Sequence, residues 1–146
     1  IRFNFINGFI NEKKFSKIVD YYQMTIAKKK YINSDYKNKD IHDTHFHGRK
    51  ELAKNFKIKF KEEYGKKKLD YVINEIKKIY KYLASIIEFK CLPNSKNCYQ
   101  MIGGDIMITD KFELKCIELN MSPGLLNKKK SSEIIIKSIL ENMKII

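Results

Sequence analysis

Apolar and polar positions along the chain change period several times, and each change marks an element. Ile1–Gly8 alternates weakly and reads as a strand. Ile18–Ala27 reads as a second strand, with Asn11–Lys14 as the connection. Lys28–Asp43 is polar and irregular, and residues 49–65 are charged, read here as loop with room for a helical turn. Lys66–Glu88 carries Leu69, Val72, Ile73, Ile76, Ile79, Tyr80, Leu83 and Ile87 at spacings of three and four, which predicts a helix with one buried face. Cys91–Asn97, with Pro93, Asn94 and Ser95, reads as loop. Tyr99–Ile108 and Leu114–Asn120 read as strands joined by the polar turn Thr109–Glu113. Met121–Lys130 reads as loop. Ser131 and Ser132 then cap a final helix with Ile135, Ile136, Ile139, Leu140 and Met143 as its buried stripe. The order predicts an α+β domain, with helices on a mixed or antiparallel sheet.

The 146 residues, 43% of them hydrophobic, suffice for one domain with its own core. The chain opens on Ile1 rather than Met and enters a strand at once, so it is expected to be a piece of a longer protein. Nothing resembles a signal peptide, and no apolar run reaches the roughly 18 residues of a membrane helix; a cytoplasmic location is expected.

The net charge of +13 rests on 28 Lys and only 2 Arg. It fits an acidic protein partner, nucleic acid or an anionic membrane, or simply a solvated lysine surface. The shortage of Arg, whose planar fork reads guanine and grips phosphate, speaks against a dedicated nucleic-acid module. Three cysteines without a secretion signal do not form a disulfide framework, and the Cys91–Cys98 spacing is too long for a common zinc knuckle. All three are expected reduced, with Cys116 buried in its strand.

The two C-terminal strands carry the densest chemistry. Glu118 and Asn120 share a face by alternation. A hairpin centred between Lys111 and Phe112 puts Asp105 opposite Glu118, with Cβ atoms about 4.5–5.5 Å apart. Two facing carboxylates repel unless a cation intervenes, and two carboxylates with an amide oxygen suit Mg²⁺, which keeps positions open for phosphate oxygens and so points to ATP. Gly103 and Gly104 leave the adjoining strand surface uncrowded. Spacing alone also allows both acids to lie on a solvated face, each beside a lysine, and a one-residue slip would separate them. The second dense stretch, His42-Asp43-Thr44-His45-Phe46-His47, allows a transition-metal site from His42, His45 and His47, or exposed loop residues.

Tyr99-Gln-Met-Ile-Gly-Gly-Asp105 and Cys116-Ile-Glu-Leu-Asn-Met-Ser-Pro123 resemble the tubulin–tyrosine ligase-like family of ATP-grasp enzymes. That family runs F-E-L-hydrophobic-G-F-D, then L-L-E-V-N-x-x-P. The thirteen-residue step from Asp105 to Glu118 and the Glu-x-Asn-x-x-Pro run match; Gln100 and Gly104 depart from a Glu and an aromatic. The resemblance implies that Asp105, Glu118 and Asn120 bind magnesium at the nucleotide phosphates. His42-Asp43-Thr44-His45 is similar to the family's H-L-T-N, matching at His42 and Thr44. This implies His42 at phosphate, and Thr44 and His45 near the ribose. Ile1-Arg2-Phe3-Asn4-Phe5 is similar to D-I-R-x-Y, which implies Arg2 at the terminal phosphate, where a guanidinium neutralises transferring charge. Lys30, before Tyr31, takes the place of the family's second phosphate Arg.

The resemblance runs over the whole chain and is densest at residues 99–123. It implies the C-terminal ATP-grasp subdomain, mainly antiparallel, as a single unit over residues 1–146, with the adenine-binding half outside it; this piece alone is then expected to be inactive. It further implies an ATP- and Mg²⁺-dependent ligase that adds tyrosine, glutamate or glycine, taken up as the free amino acid, to an acidic, tubulin-like protein tail. The carboxylate attacks the γ-phosphate to give an acyl-phosphate, and no covalent enzyme nucleophile is needed. A microtubule-associated location goes with that substrate. Two other readings stay open: an inactive basic module that holds acidic tails or nucleic acid, and a ligase acting on small peptides.

Overall fold

The computed structural model describes residues 1–42, 49–51 and 53–123, together with Glu133, Ile136, Lys137, Leu140 and Glu141. Strands β1 (Arg2–Ile10) and β2 (Lys13–Ile26) form a long hairpin. Its two-residue turn is Asn11-Glu12, both at positive φ (48° and 64°), as a tight hairpin between right-twisted strands requires. The one-turn helix α1 (Lys39–His42) and the short strand β3 (Arg49–Glu51) follow. Helix α2 (Ala53–Ile86), then β4 (Cys98–Ile108) and β5 (Leu114–Asn120) complete the order. The five strands lie as β3-β2-β1-β4-β5, and every pairing is antiparallel. The fold is therefore α+β, as the pattern predicted, with its two C-terminal strands where the pattern put them. The second strand starts five residues earlier than expected, because the turn consumes only Asn11 and Glu12.

Helix α2 packs on one face of the sheet. Phe3 and Phe5 of β1, Tyr22 of β2, and Ile102 and Ile106 of β4 meet Phe56, Val72, Ile76 and Leu83 from the helix. A part-buried polar chain ties helix to sheet: Tyr80 Oη donates to Ser16 Oγ (3.0 Å), which donates to Asn7 Oδ1 (2.6 Å). The helix predicted from Lys66 holds, but it begins thirteen residues earlier, correcting the loop expected at 49–65. The cause is an aromatic stripe at spacing four: Phe56, Phe60 and Tyr64 stack in turn at 5.5 and 4.7 Å between ring centroids, and Phe56 lies against Tyr22. Gly65 breaks the helix, at φ 80° and ψ 164°, a conformation open essentially to glycine.

The cysteine expectation is corrected. Cys91 and Cys98 are joined as a disulfide, their Cα atoms 5.7 Å apart. The turn between them, closed by Ser95 N–H donating to Leu92 O with Asn94 at positive φ, brings the two ends together. Cys116 is exposed, because β5 is an edge strand. Of the predicted final helix, the five described residues are helical, but Ile136 and Leu140, placed in its buried stripe, are 46% and 41% exposed. They lie one turn apart, so both members of the expected stripe that are described are exposed. Among the described residues no helix is long and apolar enough to cross a membrane.

Candidate functional site

The face of the sheet turned away from α2 carries the candidate chemistry. Across three neighbouring strands Arg2 pairs with Asp105, and Asp105 with Glu118, so the three side chains form one row on one face. The next row runs Asn4, Gly103, Asn120. Asp105 and Glu118 thus lie opposite each other, the register the sequence suggested, with Asn120 in the next row, but through two offsets that cancel. The loop Thr109–Glu113 is centred on Lys111, pairing Ile108 with Leu114, and not between Lys111 and Phe112. The register then shifts between Asp105 and Ile106, leaving Ile117 as an extra residue on β5. Without that bulge Asp105 would face Ile117. The bulge also explains why Leu114 and Leu119, an odd number apart, both pack on the core. The loop is closed by Thr109 N–H donating to Glu113 O and Phe112 N–H to Thr109 O, with Phe112 at φ 62°. The Phe112 ring then seats against Phe60 and Tyr64 under Lys68, whose Nζ lies 4.3 Å from the ring centroid.

Arg2 holds Asp105 by a bidentate pair, Nε to Oδ1 at 2.8 Å and Nη2 to Oδ2 at 2.5 Å. Burial pushes the Asp105 carboxyl up, but the hydrogen bonds and charge of Arg2 outweigh it and hold the group below its ordinary value of 3.8. The Arg2 guanidinium is pushed up in turn, first by the hydrogen bond to Asp105. Asp105 is therefore ionised throughout the neutral range. Because its folded-state pKa is depressed, its contribution to stability is complete above the ordinary carboxylate value and is lost as pH falls through that value towards the folded one. Denaturation midpoints measured from pH 6 to pH 3 should fall less steeply in Asp105→Asn than in the native chain; parallel slopes would contradict the pairing.

Two neighbours complete the site. Asn120 Oδ1 accepts the Ser122 N–H at 2.9 Å, and a carbonyl oxygen has a second lone pair to offer. Asn4, which no sequence motif singles out, is 3% exposed, and its Oδ1 is buried without a donor among the described residues. No group of three or more His, Cys, Asp or Glu exists among the described residues, so any cation here depends on amide oxygen as well as on the two carboxylates. The donor set of Asp105, Glu118 and Asn120 is all oxygen, with two acids facing each other beside a single guanidinium. That fits a hard divalent cation such as Mg²⁺.

The remaining candidates lie elsewhere. Lys30 and His42 are exposed on the segment after β2. That segment is tied together by Lys28 and Lys29 reaching Asp40 at 3.6 and 3.8 Å and by Tyr31 lying edge-on to His42 at 5.3 Å. Among the described residues no hydrogen bond or ion pair joins Lys30 or His42 to the Arg2 row. Thr44 and His45 lie outside the described residues, as does His47. The Gly104 departure has a local explanation. A Cβ there would lie 2.4–2.5 Å from Phe3 ring atoms, so Phe3 on the next strand fills the space on the core side of Gly104. The Cys116 thiol, on an exposed residue, is still pushed up, by partial desolvation at the sulfur and by the Asp105 charge, which works against thiolate formation.

No curated protein and no solved structure matches this chain. The family model described as "Tubulin-tyrosine ligase family" matches residues 22–143, most of the chain. The chain belongs to the tubulin-tyrosine ligase family, and so to the ATP-grasp-like carboxylate–amine ligases.

Proposed function

We propose that the parent activity is ATP-dependent joining of a free amino acid, tyrosine, glutamate or glycine, to a carboxylate of an acidic protein tail. The observation that carries this reading is the row Arg2–Asp105–Glu118 on one sheet face, with Asn120 in the row beside it. Asp105, Glu118 and Asn120 would hold Mg²⁺, which would supply positive charge to offset that of the phosphates. Arg2 does two things from one position. Its Nε and Nη2 keep Asp105 ionised and aimed, and its Nη1, which makes no hydrogen bond among the described residues, is left for an anion. In the reaction, a carboxylate oxygen attacks the γ-phosphorus of ATP and the bond to the β,γ-bridging oxygen breaks, giving an acyl-phosphate and ADP. An amine then attacks the acyl carbon and expels phosphate, leaving the amide and one proton. Lys30 and His42, and by resemblance Thr44 and His45, would supply nucleotide contacts from the segment after β2.

The acidic acceptor is supported by the distribution of charge. Helix α2 alone carries ten lysines against four acids, many of them on its outer side. Such a surface attracts an acidic polypeptide from a distance, and salt screens the attraction. A cytoplasmic setting, where tubulin-like tails are found, goes with this acceptor. The test is ATP-dependent incorporation of labelled tyrosine, glutamate or glycine into a glutamate-rich peptide by the complete protein, with binding followed over a salt series. Incorporation should require Mg²⁺, and the peptide should bind more tightly than duplex DNA at equal salt. Tighter binding to DNA, with no incorporation, would favour the basic-module reading.

A further inference from the structure

We propose that Gly103, Gln100 and Asn4 form a seat for the Met121–Pro123 return, and that this seat positions Asn120 beside Asp105 and Glu118. The inference rests on the magnesium reading of those three residues. It assigns work to residues outside the ligand set, one of which, Gln100, stands where the family pattern has Glu.

Three contacts hold the return. The first is steric. Gly103 is the cross-strand partner of Asn120, and the chain after Asn120 folds back over it. A Cβ on Gly103 would lie 2.9 Å from Pro123 Cβ and 3.7 Å from Pro123 Cγ. Pro123 Cβ belongs to a ring fused to the backbone, so it cannot swing aside as the end of a flexible side chain would. Pro123 sits buried in this position only because residue 103 has no side chain. The second is the turn itself, where Ser122 N–H donates to Asn120 Oδ1 at 2.9 Å and so orients the oxygen proposed as a ligand. The third is Gln100, whose Nε2 donates to Met121 O at 3.2 Å. A glutamate at position 100 would be acceptor-only when ionised and would face that carbonyl with a negative charge.

Asn4 closes the seat from the side of β1. Its Oδ1 lies 3.3 Å from the same point above Gly103, buried and without a donor among the described residues. Any side chain on Gly103 therefore meets Pro123 on one side and Asn4 on another. The ring is displaced, and the return that carries Asn120 moves with it.

The experiment is a Mn²⁺ titration of the 146-residue chain, followed by electron paramagnetic resonance of the free ion, with thermal denaturation on the same samples. Gly103→Ala should weaken Mn²⁺ binding about tenfold, the effect expected of groups that orient a metal ligand. Pro123→Gly should also weaken it, and Gly103→Ala added to Pro123→Gly should weaken it no further, because the ring that clashes is gone. Gln100→Leu should weaken binding, and Gln100→Glu more so. Full additivity of Gly103→Ala with Pro123→Gly, or Mn²⁺ affinity within twofold of native in folded Gly103→Ala, would overturn the seat. If Gly103→Ala does not fold, native-like affinity in both Pro123→Gly and Gln100→Leu would overturn it instead. Glu118→Gln separates the two claims. Loss of affinity there with none in the seat variants sinks this inference alone, whereas a native chain that binds no Mn²⁺ sinks it together with the magnesium reading.

Discussion

In the complete protein, Glu118→Gln is expected to abolish ATP-dependent ligation while leaving the fold intact. Glu118 is exposed on the edge strand β5 and faces Asp105 across the ladder. Removing its charge relieves a like-charge contact next to a carboxylate already held by Arg2, so the melting temperature should stay level or rise. The hydrogen-bonding shape is kept, and the register, which is set by the bulge at Ile117 and by the packing of Leu114 and Leu119, does not depend on the charge. Ligation is different, because it uses the carboxylate as a hard anionic ligand and an amide oxygen replaces it poorly. Losing one such electrostatic contact at a phosphoryl-transfer centre lowers turnover by about two to three orders of magnitude. The measurement is turnover at saturating ATP across a magnesium series, beside a melting curve. Ligation near the native rate at ordinary magnesium would remove Glu118 from the site.

The second large effect concerns Phe3 and Gly104. Phe3 is fully buried, and its ring occupies the space that a side chain at position 104 would need. Phe3→Ala should destabilise the chain by about 3–5 kcal/mol, the usual result of emptying a buried aromatic site. Gly104→Phe should prevent folding, since even a Cβ would lie 2.4 Å from the Phe3 ring. The two changes together move the ring from β1 to β4 and restore the aromatic that the family pattern has before its aspartate. The double variant should therefore be more stable than either single one, by about 1–3 kcal/mol over Phe3→Ala. Urea denaturation of the three chains reads this directly; a double variant no more stable than Phe3→Ala would show that the two positions do not share one space.

Much of this arrangement could be read from the sequence, for identifiable reasons. The Lys66–Glu88 periodicity is local, and the helix forms there. The charged stretch before it hid an equally regular signal, Phe56, Phe60 and Tyr64 at spacing four, beneath the lysines between them. The opposition of Asp105 and Glu118 was reached with the wrong loop centre, and the bulge at Ile117 restored it. The clue to the bulge was two apolar positions, Leu114 and Leu119, whose odd separation cannot place both on one face of a regular strand. The Arg2–Asp105 pair was out of reach of local pattern, because it depends on β1 lying beside β4 across about a hundred residues of chain. Asn4 and Gln100 acquire roles only once their cross-strand neighbours are known. The Cys91–Cys98 bridge follows from the geometry of the turn between them, and spacing alone does not reveal it.

One divalent cation is expected between Asp105 and Glu118 on the sheet face opposite α2. A crystal of the chain grown with Mn²⁺ and a non-hydrolysable ATP analogue, with anomalous diffraction recorded at the manganese edge, locates that cation directly. An anomalous peak is expected in inner-sphere contact with carboxylate oxygens of both Asp105 and Glu118, with the Asn120 carbonyl and a phosphate oxygen also in the shell. A peak elsewhere on the molecule, or the two carboxylates on opposite faces of the sheet, would contradict it.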